Sequence, residues 1–252
     1  MPDIGVDLGS AAIKVVFVRD GSILWRGLAP TAPGQADAAQ RLIDDGFARL
    51  GLECKAPLKL VSTGYGKKLY ERSVLKIDEI KANALGAHRL SGGSARTVIN
   101  IGGQDLKIIT MDGSGRVVDF KMNDKCAAGT GRFFELAARV LDTPISDFER
   151  LSAASTVELE INSTCAVFAE SEIVSLMASG AGKQDILKAL HTSIARRVTS
   201  LFGNDLPEGD VLLDGGPAQN RALAAAIEDE LMTRVHVLDA PQFTVAYGAA
   251  VS

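Results

Sequence analysis

Cysteine, aromatic residues and long apolar runs are all scarce in this chain. The few cysteines and the short apolar runs each exclude a class of protein. The 252 residues include three cysteines, a small and odd number that argues against a disulfide-stapled extracellular scaffold. Aromatic residues make up 5% of the chain. No run approaches the ~18 apolar residues that a membrane-spanning helix needs. We therefore expect a globular protein with no membrane partner.

Charge of one sign is not in excess either. The chain has 27 basic and 31 acidic residues, a formal net charge of −4. Without a basic stripe, nothing predicts a nucleic-acid partner. The N-terminus leads directly into an apolar strand without a leader-like segment, so a cytoplasmic location is expected.

The glycine patterns of the Walker loop and of the dinucleotide fingerprint are also missing, but a different glycine pattern occurs twice. In each copy an apolar run ends in a polar residue, glycine follows two residues later, and lysine follows five residues after that. The copies are residues 4–14, with Asp7 as the polar residue, and residues 98–107, with Asn100. Asp20-Gly21 and Asp112-Gly113 then supply turns.

Each copy predicts a β-hairpin with a glycine in its first turn. Glycine lets the backbone approach a ligand closely, and backbone N–H groups bind phosphate oxygens. Two ordinary hairpins with tight turns are the alternative. The second copy, together with the later Asp214-Gly215-Gly216, favours the phosphate site.

This set of motifs resembles the actin-like ATPase superfamily of sugar kinases, acetate kinases and heat-shock chaperones. The resemblance implies an α/β, two-lobed actin-like ATPase (ribonuclease H-like) fold with a duplicated hairpin-bearing sheet. We expect an N-terminal lobe over residues 1–91 with the first phosphate loop, completed by a C-terminal helix at 242–252. Residues 92–241 are expected to form the C-terminal lobe, with the second phosphate loop, the cysteine helices and the adenosine loop.

Apolar spacing predicts the regular elements between these motifs. Helices are expected over 36–50, 77–90, 165–178, 184–202 and 243–251, after residue 131, and around 223–231. Strands are expected over 58–63, 117–122, 210–213 and 235–238.

Two of the cysteines stand out by their position. Cys126 and Cys165 are 39 residues apart, and each lies at or just before a predicted helix start, where the partial positive charge stabilises a thiolate or an anionic cluster. Two such ligands are too few for a closed four-ligand site, but two from each of two chains make four. The alternative is that both are small buried apolar residues. Cys54 lies in a predicted loop and is given no role.

The segments 101–105, 122–133 and 163–172 resemble the ATP-dependent activators of 2-hydroxyacyl-CoA dehydratases and the ATP-binding subunits of benzoyl-CoA reductases. The likeness runs from Gly5 to Ala250. In that family two protomers share one 4Fe–4S cluster, and the resemblance places its ligands at Cys126 and Cys165. ATP hydrolysis changes the angle between the cluster-bearing helices, and the cluster passes one low-potential electron to a partner enzyme.

The resemblance also implies roles at the nucleotide site. Asp7 is expected near Mg²⁺, acting through water. Gln104 is expected to orient the attacking water or sense the γ-phosphate, unless it only bonds within its turn. Lys14 either adds charge to the site or is a solvated surface residue. The remaining contacts implied are to the phosphates by Gly9, Ser10, Gly102 and Gly103, and to the adenosine by Gly215, Gly216 and Asn220.

The implied partners are a second identical or homologous ATPase protomer, the catalytic subunits of an acyl-CoA dehydratase or aryl-CoA reductase, and ferredoxin or flavodoxin as electron donor. The chain departs from the family at Asn100, where Asp is usual, at Asn83, where His is usual, and after Gly216. These departures lean towards an aryl-CoA reductase subunit. On this basis, Asn100→Asp is expected to keep or raise the rate of hydrolysis.

Two other functions stay open from sequence alone. The first is a small-molecule kinase of the same fold, which needs an acceptor pocket and a positioned carboxylate base. The second is a nucleotide-switched binding module without a cluster.

Overall fold

The computed structural model describes residues 1–53, 58–123, 129–162, 165–205 and 207–252. Within these ranges the chain alternates strands and helices, as an α/β fold requires. No helix in the described part of the chain is long and apolar enough to cross a membrane.

The chain forms two compact units, and it passes between them more than once. The first unit comprises Met1–Val98, Ile109–Asp119 and Ala240–Ser252, and the second comprises Ile99–Ile108 and Phe120–Asp239. The C-terminal segment therefore belongs to the same unit as the N-terminus. The lobe boundaries expected from sequence stay a prediction.

The first sheet lies in the first unit and has the strand order β3-β2-β1-β4-β5. The first three strands are antiparallel, and the last two run parallel to β1. The strands are β1 (Asp3–Leu8), β2 (Ala12–Arg19), β3 (Ser22–Pro30), β4 (Leu60–Thr63) and β5 (Leu75–Lys76).

The predicted Asp20-Gly21 turn joins β2 to β3. Asp20 has φ 51° and Gly21 has φ 77°, so both central residues are left-handed, as a two-residue hairpin turn requires. The first hairpin predicted from the repeat is also confirmed, since β1 and β2 pair in register from Asp3 opposite Val18 to Leu8 opposite Ile13.

The second sheet contains the second copy of the repeat. Its order is β10-β9-β6-β7-β8, so the strand that carries Asn100 lies between the other strand of its hairpin and β9. The strands are β6 (Ala95–Ile101), β7 (Leu106–Met111), β8 (Val117–Asn123), β9 (Asp210–Asp214) and β10 (Val235–Val237).

The helices predicted from apolar spacing are all present, and α4 was not predicted because its five residues are too short for a periodic pattern. Asp78 caps α2 by accepting hydrogen bonds from Ile80 and Lys81. The helices are α1 (Gln35–Leu50), α2 (Glu79–Leu90), α3 (Gly131–Val140), α4 (Phe148–Ser152), α5 (Ala166–Ala178), α6 (Lys183–Phe202), α7 (Arg221–Leu231) and α8 (Thr244–Ala250).

Each unit has its own apolar core. In the first unit, buried residues of β1 and β2 pack against α1, with Phe17 in edge-to-face contact with Trp25 and Phe47. In the second unit, α3 and α6 pack against the buried ends of β6 and β9, and Phe134 stacks on Phe148. These cores fix the strand ends at which the repeated motifs lie.

Close backbone contact holds α8 in the first unit. A Cβ atom at Gly248 would overlap the carbonyl oxygen of Ala82 on α2, and one at Gly5 would overlap the carbonyl oxygen of Ala246. Because the obstructing atoms belong to the backbone, they cannot move aside as a flexible side chain would. Glycine at these positions therefore allows α8 to lie against both β1 and α2.

Gly248→Ala is expected to lower the free energy of unfolding by at least ~2 kcal/mol, since the added methyl group forces α8 away from α2. Chemical denaturation of the purified variant measures this loss. Gly113→Ala is the control, because that glycine is exposed and an added Cβ would meet only the Arg96 guanidinium at 3.7 Å. Equal stability of the two variants would contradict the close packing of α8.

Candidate functional site

The first hairpin places a buried carboxylate opposite a lysine. Asp7 on β1 pairs with Lys14 on β2, and the Lys14 ammonium lies 2.8 Å from Asp7 Oδ2. The Asp7 residue is 3% exposed, so the ion pair lies in surroundings that screen it little. The geometry therefore favours Lys14 as the partner of Asp7 over a solvated surface residue.

The second oxygen of Asp7 has no such partner. Asp7 Oδ1 is buried and has no hydrogen-bond partner among the described residues, and the same holds for the hydroxyl group of Thr63, which lies opposite Asp7 in the β1–β4 pairing. Gly64 follows with φ 87°, and a Cβ atom there would overlap Asp7 Oδ1. An unpaired buried carboxylate oxygen is costly unless a ligand or water satisfies it.

These oxygen donors fit a hydrated Mg²⁺ ion, which is held by one or two carboxylates and keeps several waters. From the sequence, this role was predicted for Asp7 alone. Thr63 and Gly64 were missed, although both follow directly after a predicted strand, where a polar residue and a glycine are typical of a site at a strand end.

The two glycine turns of the repeat have the same hydrogen bond. Gly9 N–H donates to the Ala12 carbonyl oxygen at 3.1 Å, and Gly102 N–H donates to the Asp105 carbonyl oxygen at 2.8 Å. Residues 9–12 form the first turn, and residues 102–105 form the second turn. Both glycine N–H groups are therefore used inside the turns, and the contacts of Gly9, Ser10, Gly102 and Gly103 with phosphates stay a prediction.

The second hairpin differs from the first in its charges. Lys107 occupies the position of Lys14, but its ammonium lies 2.8 Å from Asp105 Oδ2 and 3.5 Å from Asn100 Oδ1. Asn100 in turn donates from Nδ2 to Asp214 Oδ1 at 2.5 Å. One connected network therefore joins Asp105, Lys107, Asn100 and Asp214, and it was not predicted from the sequence.

The Gly-Gly segment after β9 lies against β6. Gly215 has φ 94°, and a Cβ atom there would overlap the Ile101 carbonyl oxygen, whereas Gly216 is exposed with open space around its Cα. Asn220 is buried and caps α7, since its Oδ1 accepts from Leu223 N–H at 3.0 Å. The predicted contacts of these residues with adenosine stay a prediction.

The predicted site residues divide between the two units. Gln104 is exposed at the tip of the second turn, and Ser10 is half-buried in the first turn. The first unit contains Asp7, Gly9, Ser10 and Lys14, and the second contains Gly102, Gly103, Gln104, Gly215, Gly216, Asn220 and Cys165.

Cys165 has the position expected from sequence. It is the N-cap residue of α5, with extended backbone angles, and it is a half-buried free thiol. Cys126 and Cys54 lie outside the described residues. In the described part of the chain, no group of three or more histidine, cysteine or acidic side chains could hold a metal ion.

The two cysteine segments, residues 124–126 and 163–165, each follow an asparagine that lines the same cavity of the second unit. A cavity of about 580 Å³ is lined by Asn123 and Asn162, and by Arg196 of α6. Cys126 follows Asn123 by three residues, and Cys165 follows Asn162 by three residues. The chain therefore enters both segments from one cavity.

The N-terminus of α3 binds the second turn directly. Gly131 N–H donates to the Gly102 carbonyl oxygen at 2.8 Å, and Arg132 N–H donates to that of Gly103 at 3.0 Å. The Thr130 hydroxyl group also donates to the Gly103 carbonyl oxygen at 3.0 Å. This satisfies N–H groups that a helix start leaves unpaired, and it connects the turn to the chain just after Cys126.

One histidine, His191, lies in the core of the second unit. His191 on α6 is buried beside Phe134, and burial lowers its pKa to about 4. It is therefore neutral at physiological pH and contributes to the core.

Comparison with known proteins agrees with these features. A family model described as the BadF/BadG/BcrA/BcrD ATPase family matches residues 4–252. The chain belongs to this family. The activator of lactoyl-CoA dehydratase from Anaerotignum propionicum is 40% identical over 99% of this chain and 96% of its own length.

A solved structure of another relative matches in three dimensions. The activator of the 2-hydroxyisocaproyl-CoA dehydratase from Clostridium difficile, with bound ADPNP, is 37% identical, with a TM-score of 0.93 over 100% of this chain and 93% of that one. The predicted actin-like ATPase fold is thereby confirmed. A benzoyl-CoA reductase subunit from Thauera aromatica is more distant, at 28% identity over 90% of this chain and 82% of its own.

Proposed function

We propose that this member of the BadF/BadG/BcrA/BcrD ATPase family hydrolyses ATP to drive electron transfer from a 4Fe–4S cluster, shared between two protomers, into an acyl-CoA dehydratase. Its higher identity to a dehydratase activator than to a reductase subunit favours a dehydratase as the partner over an aryl-CoA reductase. A ferredoxin or flavodoxin is the proposed electron donor, and the cytoplasm the proposed location.

At the nucleotide site, the proposed role of Asp7 is to hold the water shell of Mg²⁺ through Oδ1 while Lys14 fixes Oδ2. A divalent ion neutralises charge on the phosphates of ATP when it is bound. Ser10 and Gly103 offer backbone N–H groups to those phosphates. Gln104 is exposed at the tip of the second turn, where its amide group can orient the attacking water.

The common origin of the two cysteine segments carries the proposal of a cluster. Asn123 and Asn162 line one cavity, and each precedes a cysteine by three residues. Cys165 lies at the start of α5 as its N-cap residue. Cys126 and Cys165 of each protomer are the proposed ligands, and a 4Fe–4S cluster supplies one-electron chemistry at low potential when bound.

The proposed coupling between nucleotide and cysteines runs through α3. Its N-terminus is hydrogen-bonded to the carbonyl groups of the second turn, so a shift of that turn moves the helix start. Arg139 of α3 also forms an ion pair with Glu170 of α5 at 3.1 Å, which links the two helices that follow the cysteines. A change of phosphate occupancy is thereby passed to both cysteine helices.

The test uses the anaerobically purified protein. We expect a brown protein with broad visible absorption that dithionite bleaches, and chelation of iron from the reduced cluster at a rate that depends on nucleotide. The rate is measured with ADP and Mg²⁺, with ATP and Mg²⁺, and without nucleotide. A colourless protein with ATPase activity would contradict the cluster, and three identical rates would contradict the coupling.

A further inference from the structure

The internal repeat differs at two positions that matter for charge, since Asn100 replaces Asp7 and Asp105 replaces Ala12. In the first copy the carboxylate of Asp7 faces Lys14 across the hairpin. In the second copy the corresponding residue, Asn100, is neutral, although Lys107 is in place opposite it. Lys107 is 2% exposed, and its ammonium group pairs with Asp105, as a buried charge requires.

Asp214 brings a carboxylate to this position from another strand. It ends β9 with no exposed surface, and its Oδ1 accepts the Asn100 Nδ2 hydrogen bond at 2.5 Å. The two residues are 114 positions apart in the chain. The same amide group accepts from Lys107 through its oxygen, so Asn100 stands between a carboxylate and an ammonium.

We propose that Asp214 is a positioning residue of the nucleotide site, whose carboxylate on β9 orients the Asn100 amide at the position that Asp7 has in the first hairpin. It fixes the Asn100 amide with its oxygen towards Lys107, and through Lys107 it places Asp105 over the second turn. This inference rests on the ATP hydrolysis proposed above. In the Asn100–Asp214 pair, Asp214 is then the carboxylate and Asn100 the amide donor.

The position of Asp105 shows why this chain of contacts reaches the site. A Cβ atom at Gly102 would overlap the Asp105 carboxylate, so that carboxylate lies directly against the second turn. Its partner Lys107 is held from the other side by Asn100. Loss of the charge on Asp214 would let both the amide and the ammonium take other orientations, since an amide group pairs equally well either way round.

The pair can be exchanged, and the exchange provides the experiment. Asn100→Asp places two carboxyl groups in one buried site, where like charges force one of them to keep a proton. Asp214→Asn leaves two amides and no charge. The double variant Asn100→Asp/Asp214→Asn restores one carboxylate and one amide. Its carboxylate lies on the hairpin strand and faces the lysine, as Asp7 does in the first hairpin.

The first measurement is steady-state hydrolysis of Mg·ATP by the unchanged protein, the two single variants and the double variant, all purified anaerobically. Each single variant is expected to lose ~10-fold in kcat, within the range of coupling in one hydrogen-bond network, with KM nearly unchanged. The double variant is expected to recover most of that loss. Asp210→Asn, at the exposed opposite end of β9, is the control and should match the unchanged protein.

Thermal unfolding without nucleotide separates this inference from the proposed function. Asn100→Asp should melt at a lower temperature, more so at about pH 8 than at about pH 6, because the added carboxyl group titrates next to Asp214 and Asp105, with Lys107 as the facing cation among the described residues. The double variant should recover. Recovery of stability in a chain that never hydrolyses ATP would overturn the nucleotide role but not the pair. If the double variant is no better than the worse single variant in both measurements, Asn100 and Asp214 do not act as a pair.

Discussion

Replacing Asp7 with asparagine is expected to lower Mg²⁺-dependent ATP hydrolysis by ~100-fold, the scale on which groups that orient a metal and its waters act. The substitution keeps the size of the side chain but removes its charge. Lys14, now 2.8 Å from one carboxylate oxygen, would then face a neutral group. Oδ1, which has no hydrogen-bond partner in the part of the chain that the structure describes, would no longer attract a hydrated cation. Phosphate release at a series of Mg²⁺ concentrations measures the effect.

Asp3→Asn is the matched control, because it makes the same substitution on the same strand. Asp3 contacts Lys59 at 3.5 Å, and both side chains are largely exposed, so its loss is expected to change stability and hydrolysis little. ADP binding without Mg²⁺ should be similar in both variants, which would show that each is folded. Unchanged hydrolysis in Asp7→Asn would mean that Asp7 does not serve the metal.

The fold was predictable to a large extent because its signals are local. Alternation of apolar residues in β1 and the Asp20-Gly21 turn need only neighbouring residues to be recognised. The repeated polar residue, glycine and lysine predicted both hairpins, and the register of Asp7 opposite Lys14 follows from the length of the turn. The short α4 escaped prediction because five residues carry no helical period.

The site was less predictable because its main contacts join distant parts of the chain. Nothing near Asn100 in sequence indicates that Asp214 lies against it, since strand order in the second sheet decides that contact. The sequence alone favoured a harmless Asn100→Asp substitution. The structure gives the opposite expectation, because the substitution would bring two buried carboxyl groups together.

The turns show a second limit of the same kind. The glycines of the repeat were expected to donate hydrogen bonds to phosphates, but the N–H groups of Gly9 and Gly102 close their own turns. Their value is close approach of the backbone, as the Asp105 carboxylate against Gly102 illustrates. The sequence pattern located the two hairpin turns. Which N–H groups in them are used inside the turn depends on hydrogen bonds that the sequence does not show.

Cys165→Ser and Cys126→Ser are each expected to abolish electron transfer to the partner enzyme and to remove most of the iron from the anaerobically purified dimer. Each substitution would take two of the four proposed ligands, one from each protomer, and serine is a poor ligand for iron–sulfur clusters, which thiolates hold. Nucleotide binding should remain, because no residue proposed to contact the nucleotide is a cysteine.

Iron content per protomer, the visible spectrum and ADP affinity are measured together on each variant. Cys54→Ser is the control, since the same change at that cysteine is expected to leave all three unaltered. Loss of iron in all three variants would point to a general effect of cysteine replacement. Full iron content in Cys165→Ser would mean that the half-buried thiol at the start of α5 is not a ligand. The cavity shared by the two cysteine segments would then need another explanation than cluster assembly.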